Sequence, residues 1–325
     1  MIMSFIRKSI FGAFTISLAA TAAMAQTWPD KPVRIIVPYP PGGVLDSLVR
    51  SVAKQLQENL RQPVITENVA GAGGNIGMNA CARAPADGYT LCITTNDSVS
   101  LNPFLYKSFP FDPVRDLAPV QRLVWVDGVI VATAPHPYRT FDALMTAARS
   151  RPESVSWGSW GYGSVSHLYA SWFNSSLGAK MLHVPYKGSA PLLQAMLSGE
   201  VHSGFLAKGI LMQHIKSGKL VPLAATAERR LDGLPDVPTL REVGVDFFIP
   251  AWFGAFAPAG TPAAVVQRLG SEIGKIVASP GMEPFLATAG FRPAATATPA
   301  EFAEFLREDR ARGEKLVRAS NTVLD

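Results

Sequence analysis

Cysteine is nearly absent from this chain: 325 residues hold two, Cys81 and Cys92. Neither belongs to a CxxC pair or a Cys/His cluster, so their spacing gives no metal site. Two fates stay open for them, a disulfide across a short loop in an oxidising compartment or two buried reduced thiols. His183 and His202 show no HxH or HExxH spacing, and no cofactor or metal is expected. Charge of either sign is thin, with 30 Lys and Arg against 25 Asp and Glu and a formal net charge of +5. No basic run stands out, which excludes the clustered stripe of a nucleic-acid surface. Long apolar runs are confined to the first 25 residues. There Arg7 and Lys8 precede the run from Ile10 to Ala20, and Ala23-Met24-Ala25 follows as a small-x-small cleavage signature. No later stretch approaches the roughly 18 apolar residues of a membrane helix. The expectation is a leader over residues 1–25, cleavage near Ala25, and a periplasmic protein without a membrane span if the source has two membranes.

Catalytic signatures are missing in the same way. Gly71-Ala72-Gly73-Gly74-Asn75-Ile76-Gly77 reads GxGxxxG, one residue too long for the dinucleotide fingerprint. The segment from Trp157 to Ser166 holds no GxSxG, so neither Ser159 nor Ser164 sits on a nucleophile elbow. His167 has no neighbouring acid in sequence to orient it as a base, and a structural role is read for it. No enzyme is expected.

What the chain does have is punctuation, 26 prolines and 27 glycines set between strong apolar segments. That pattern marks an α/β domain and not disorder. Val33 to Pro38 reads as a buried parallel strand. A helix follows with Leu45, Leu48, Val49, Val52, Leu56 and Leu60 on one face. Val64 to Glu67 and Tyr89 to Thr94 are further strands, with a short helix ending near Arg83 between them. The order implies a parallel sheet covered on both faces. A second unit starts near Val129, with strands at 128–134, 155–158, 183–186, 201–206 and 220–225. Phe247 to Ala257 returns the chain to the first unit, and the last 65 residues read as mostly helical. The fold class is therefore α/β in two lobes, a flytrap with two crossings near 128–132 and 247–251. The first lobe takes residues 26–129 plus 250–325, and the second takes 130–249.

Four loops share one design, glycine or a hydroxyl residue just before an apolar-periodic helix. They are Pro41-Gly42-Gly43, Gly71-Ala72-Gly73-Gly74, Gly161-Tyr162-Gly163-Ser164 and Lys187-Gly188-Ser189. The first N–H groups of a helix lack intrahelical partners and the dipole there favours negative charge. Glycine lets a ligand approach them. Taken singly, each loop reads equally as a tight turn; two from each lobe, all following strands, point to a carboxylate held by N–H groups. Ser164 reads as an N-cap. Asp46 reads as a capping residue that also orients the PPGG loop, and Asp97 as a turn residue or a ligand contact.

These motifs resemble the Bug-type periplasmic solute-binding receptors of tripartite tricarboxylate transporters. The likeness runs through Pro38-Tyr39-Pro40-Pro41-Gly42-Gly43 with Asp46 and Arg50, Glu67-Asn68, and the Gly71 to Gly77 loop. It continues in Asp87-Gly88-Tyr89-Thr90-Leu91, Asn102-Pro103, Gly158-Ser159 through His167-Leu168, and His183-Val184-Pro185-Tyr186-Lys187-Gly188. Leu234-Pro235-Asp236-Val237-Pro238-Thr239 completes it. The resemblance implies a type II-like flytrap that closes on a small carboxylate and docks, as a monomer, on membrane transporter subunits or a sensor kinase. The ligand-binding residues expected from loops and resemblance together are Tyr39, Pro41, Gly42, Gly43, Asp46, Gly73, Gly74, Asn96, Asp97, Ser159, Trp160, Gly161, Tyr162, Gly163, Ser164, His167, Tyr186, Lys187, Gly188, Leu206 and Ala207. Leu206 stands where many relatives carry an acid, and Trp160 and Tyr162 add rings. The expected ligand is accordingly a carboxylate without an amino group and with an apolar or aromatic body, unless Asp97 or Asp46 substitutes for the missing acid.

Overall fold

The computed structural model describes residues 28–294 and 298–325; the expected leader lies outside them. The chain opens with β1 (Val33–Val37), α1 (Val44–Leu60), β2 (Val64–Asn68), α2 (Asn75–Ala82), β3 (Thr90–Thr95), α3 (Asn102–Leu105) and β4 (Leu117–Val126). It then builds β5 (Gly128–Thr133), α4 (Phe141–Ser150), β6 (Ser156–Ser159), α5 (Val165–Ser176), β7 (Leu182–Pro185), α6 (Ser189–Ser198), β8 (Ser203–Ala207), α7 (Lys208–Lys216) and β9 (Leu220–Thr226). It returns through β10 (Ala251–Pro258), α8 (Ala263–Val277), α9 (Glu283–Ala289), β11 (Phe291–Pro293) and α10 (Pro299–Ser320).

Two sheets result, ordered β11-β4-β10-β3-β1-β2 and β7-β6-β8-β5-β9. Each is covered on both faces, because successive strand residues point to opposite sides. In the first sheet Ile35 and Val37 pack with Leu48, Val52, Leu269 and Ile273, while Ile36 and Cys92 pack with Met78, Trp252 and Phe302. In the second, Ile130 joins Trp157, Tyr169 and Phe173, and Val129 and Val131 join Leu192, Met196 and Leu211. Each fully buried side chain of this size contributes about 1.5–3 kcal/mol.

The three opening strands are parallel as their order suggested, but both sheets as wholes are mixed. β1 runs parallel to β2 and β3, but β10 is antiparallel to β3 and β4, and β5 is antiparallel to β8 and β9. The cause is the crossing. β3 and β4 run toward the other lobe, so the chain re-entering at Ala251 can only run away from it. β5 leaves the crossing in the same sense, against β8 and β9, which end beside it. The first crossing is a single residue, Asp127, whose carboxylate accepts from Arg292 Nε at 2.8 Å and whose carbonyl accepts from Lys208 N at 2.8 Å. At the second, Asn96 donates from Nδ2 to Pro250 O at 3.2 Å. Leu101, Leu105 and Val317 reach into the second lobe's core, so the lobes share apolar packing as well as chain. Strand β4 and helix α7 were not read from the sequence. Cys81 and Cys92 are joined in a disulfide under the first sheet.

Candidate functional site

The site starts with how the loop after β1 is held. Asp46, buried in the first turn of α1, accepts from Gly42 N and from Arg50 Nε at 3.0 Å each, and from Asn68 Nδ2 at 2.9 Å. Burial opposes its ionisation, but the bonds from Arg50, Gly42 and Asn68 hold its pKa below the usual carboxylate value. Asn68 Nδ2 also donates to Tyr39 O at 3.0 Å. The acid therefore orients the PPGG loop, as its position suggested. Gly43, the N-cap, makes no side-chain cap bond, so the first N–H groups of α1 keep their hydrogen-bonding capacity.

From the second lobe α6 arrives in the same manner. Gly188 is its N-cap at φ 115°, a conformation that favours glycine, and again no side chain caps the helix. Ser189 and Ala190 present N–H groups; Pro191 has none to present. Helix α5 differs, because Ser164 caps it by accepting from His167 N at 3.2 Å while donating to Gly161 O at 2.6 Å.

Between these helix starts lies a cavity of about 100 Å³. An apolar cavity of roughly 150 Å³ holds benzene, so the space suits a solute of about six heavy atoms. Its walls are mostly apolar, with Trp160, Val165, Phe205, Leu206, Ala207, Val126, Ala251 and Phe253. Tyr39, Pro41, Gly43, Asp46, Asn96, Asp97, Lys187 and Gly188 add loop and polar surface. Asp97 opens a π-helical turn, Asp97–Leu101, at the end of β3 and is 2% exposed. Trp160 Nε1 donates to its Oδ2 at 3.4 Å, and its Oδ1 is buried without a hydrogen-bond partner among the described residues. Burial pushes its pKa up to about 6, opposed by Trp160, Thr95 and the Val165 amide.

The remaining expected residues do not line the cavity. Gly42 gives its N–H to Asp46. Gly73 and Gly74 stand at φ 62° and 94° in a turn whose Gly73 carbonyl accepts from Asn102 Nδ2 at 3.0 Å, so these glycines serve turn geometry. A β-carbon on Gly163 would stand 3.1 Å from Asn102 Oδ1 and 3.3 Å from Leu324 Cδ1. Ser159 is buried against His183 Nε2 at 2.7 Å, and Ser164 and Gly161 are paired with each other. Tyr162 points outward, 54% exposed, with its ring edge-on to His167 and His183. His167 stacks on His183 at 4.3 Å between centroids, a structural place as read. Tyr186 bonds Glu200 through its hydroxyl at 2.7 Å. The apolar wall from Phe205, Val126, Ala251 and Phe253 was not foreseen. Its signal was present in the two crossings, since strands that carry the chain between lobes must edge the cleft.

Two α/β lobes joined by two crossings with a cavity between them make the architecture of a periplasmic binding protein. The sequence matches the family model described as "Tripartite tricarboxylate transporter family receptor" over residues 48–322, and the chain belongs to that family. It is 34% identical over 320 residues to "Protein BugT" of Bordetella pertussis, covering 97% of this chain and 98% of that protein. Among solved structures, periplasmic binding protein BugD is similar at 29% identity and a TM-score of 0.84, covering 91% of this chain and 99% of that one. A Rhodopseudomonas palustris protein solved with adipate reaches 31% identity and a TM-score of 0.85, covering 91% and 99%. MatC from Rhodopseudomonas palustris with bound malate reaches 28% and 0.83, covering 89% and 100%. Of these, BugD is named a periplasmic binding protein, and two others are solved with a carboxylate bound.

Proposed function

We propose that this chain is an exported, monomeric periplasmic receptor that closes on a small carboxylate and delivers it to the membrane subunits of a tripartite tricarboxylate-type transporter. The lobes divide as 26–129 with 250–325, and 130–249. One observation carries the reading: the starts of α1 and α6, neither capped by a side chain, edge the same cavity from opposite lobes. Two helix N-termini converging on a space of that size form an anion site that exists only when the lobes are shut. Closure is thereby coupled to ligand charge, which is what a transporter partner reads. The adipate and malate held by relatives support the ligand class.

Mass spectrometry of small molecules released on denaturing the purified protein tests this directly. A small carboxylate in stoichiometric amount is the expected result. A released sugar or other solute without a carboxylate would overturn the reading, as would calorimetry showing no heat with any of a panel of C2 to C6 carboxylates.

A further inference from the structure

Asp97 is the group that the carboxylate reading leaves unused. It is the cavity's only buried acid besides Asp46, and Asp46 is fully engaged with Gly42, Arg50 and Asn68. Asp97 takes a long bond, 3.4 Å from the Trp160 indole, and is favoured further by Thr95 and the Val165 amide, yet its Oδ1 keeps no hydrogen-bond partner among the described residues. A buried ionised carboxylate short of hydrogen bonds is unfavourable unless a donor or a cation completes it. The titratable groups that act on it are Tyr39 and Tyr106, whose hydroxyls burial keeps neutral, so neither supplies charge. Lys187 edges the same cavity from the second lobe and makes no ion pair among the described residues, but no contact joins it to Asp97.

We propose that Asp97 is the specificity-determining residue of the cleft and receives a ligand ammonium group, so that the bound solute is a small amino acid or ω-amino acid. This rests on the reading of the helix starts as a carboxylate site, and it reverses the expectation from Leu206 of a ligand without an amino group. Leu206 does line the cavity as apolar wall, and the acid it lacks is supplied instead from the opposite lobe by the turn after β3. The ligand's carboxylate faces α1 and α6, its ammonium faces Asp97, and its short aliphatic body lies on Trp160, Phe205 and Leu206. The size follows the cavity: about 100 Å³ admits alanine or 4-aminobutyrate more readily than a large aromatic acid.

The pH dependence has a definite sign. The free carboxyl titrates at about 6, and an ammonium beside it lowers that value, so binding releases a proton below pH 6. Affinity for the amino-bearing ligand is then level above pH 6 and falls by up to about tenfold per unit below it. A neutral Asp97 donating to a ligand carboxylate would give the opposite slope.

Calorimetry on matched triples tests the proposal: alanine, propionate and ethylamine, and 4-aminobutyrate, butyrate and propylamine. Wild-type protein is expected to bind an amino acid at least tenfold more tightly than its deaminated partner. Asp97→Asn, nearly isosteric, is expected to erase that preference while its thermal melt shows a folded protein. Asp97→Glu reports whether charge alone restores it. Equal or tighter binding of propionate or butyrate, an undiminished preference in Asp97→Asn, or no binding of any amine-bearing compound overturns the proposal. If the amines bind as well as the amino acids, Asp97's role stands and the carboxylate site falls, so the two readings fail separately.

Discussion

A β-carbon placed on Gly43 would stand 3.6 Å from Ser189 Oγ, so the starts of α1 and α6 approach each other across the cleft. That distance is ordinary van der Waals contact, and Gly43 has φ −81°, open to any residue. Gly43→Ala should therefore leave binding within about threefold of wild type. Gly43→Leu carries three further carbons past that contact into the space between the two helix starts, and covering or separating them removes their joint field on an anion. Affinity should fall at least tenfold with a thermal melt close to wild type. Small-angle scattering with saturating ligand should show the Leu variant remaining more extended than the wild type. Wild-type affinity and compaction in that variant would show that the two turns need not meet.

The loop from Ser159 to Ser164 behaves differently, because most of its side chains face away from the cavity. Ser164→Ala removes an acceptor from His167 N and a donor to Gly161 O, a loss of about 1 kcal/mol in stability. Ligand affinity should change by less than about threefold. Gly163→Val, at φ 80° and against Asn102 and Leu324, should destabilise more than Ser164→Ala while acting on the same packed region. Urea unfolding separates these from the Gly43 series. Stability losses without affinity losses are expected here and the reverse there.

How legible this was can be judged from particular residues. The stripe of Leu45, Leu48, Val52 and Leu56 gave α1 because an apolar period of 3.6 has one physical meaning. Strand β4 has no clean signal because Pro119 and Arg122 interrupt its pattern, and Arg122 is accommodated by stacking its guanidinium over Trp125 and Phe305, with the charge of Asp309 nearby. The direction of β10 depended on which way the chain re-enters from the other lobe, a tertiary fact with no local signal. In the site, glycine before a helix was legible but its purpose was not. Gly43 and Gly188 free N–H groups at the cavity, whereas Gly73 and Gly74 supply positive φ for a turn. Asp97 could be named as turn or ligand contact, but the indole that donates to it comes from Trp160, 63 residues away in sequence.

The disulfide links the end of α2 to β3 beneath the first sheet, with both sulfurs in residues that are 0% exposed. Closing so short a loop restricts the unfolded chain and contributes about 2–4 kcal/mol. The double variant Cys81→Ala, Cys92→Ala should melt several degrees lower than oxidised wild type and be indifferent to dithiothreitol. Wild type unfolded and refolded in dithiothreitol should approach the variant. Ligand affinity should persist in both, because neither cysteine touches the cavity. Equal melting of the variant and the oxidised protein would mean the bond adds nothing to the packing already there.

Acid should act through His167 and His183. Burial lowers the pKa of His167 to about 4, and burial together with the neighbouring His167 lowers that of His183 to about 3. Their rings stack at 4.3 Å, and His167 Nδ1 accepts from Gly163 N at 3.2 Å, a bond that protonation there would abolish. Both folded values lie below the unfolded value of about 6.5. The stability these neutral rings contribute is thus complete above pH 6.5 and is lost as pH falls toward 4 and below. Asp97 works in the opposite sense, its raised pKa favouring the folded state in acid between about pH 6 and 4; Asp309 is raised by burial as well, while His202, lowered by burial, adds to the histidine side. Depressed carboxylates such as Asp46 add to the decline below about pH 5, equally in every variant compared. Unfolding free energy should therefore be flat from pH 8 to 7 and decline from about 6.5 to 4. The double variant His167→Gln, His183→Gln should show a smaller decline there, and Asp97→Asn a steeper one. Identical slopes in all three proteins between pH 6.5 and 4 would remove these buried groups from the acid response.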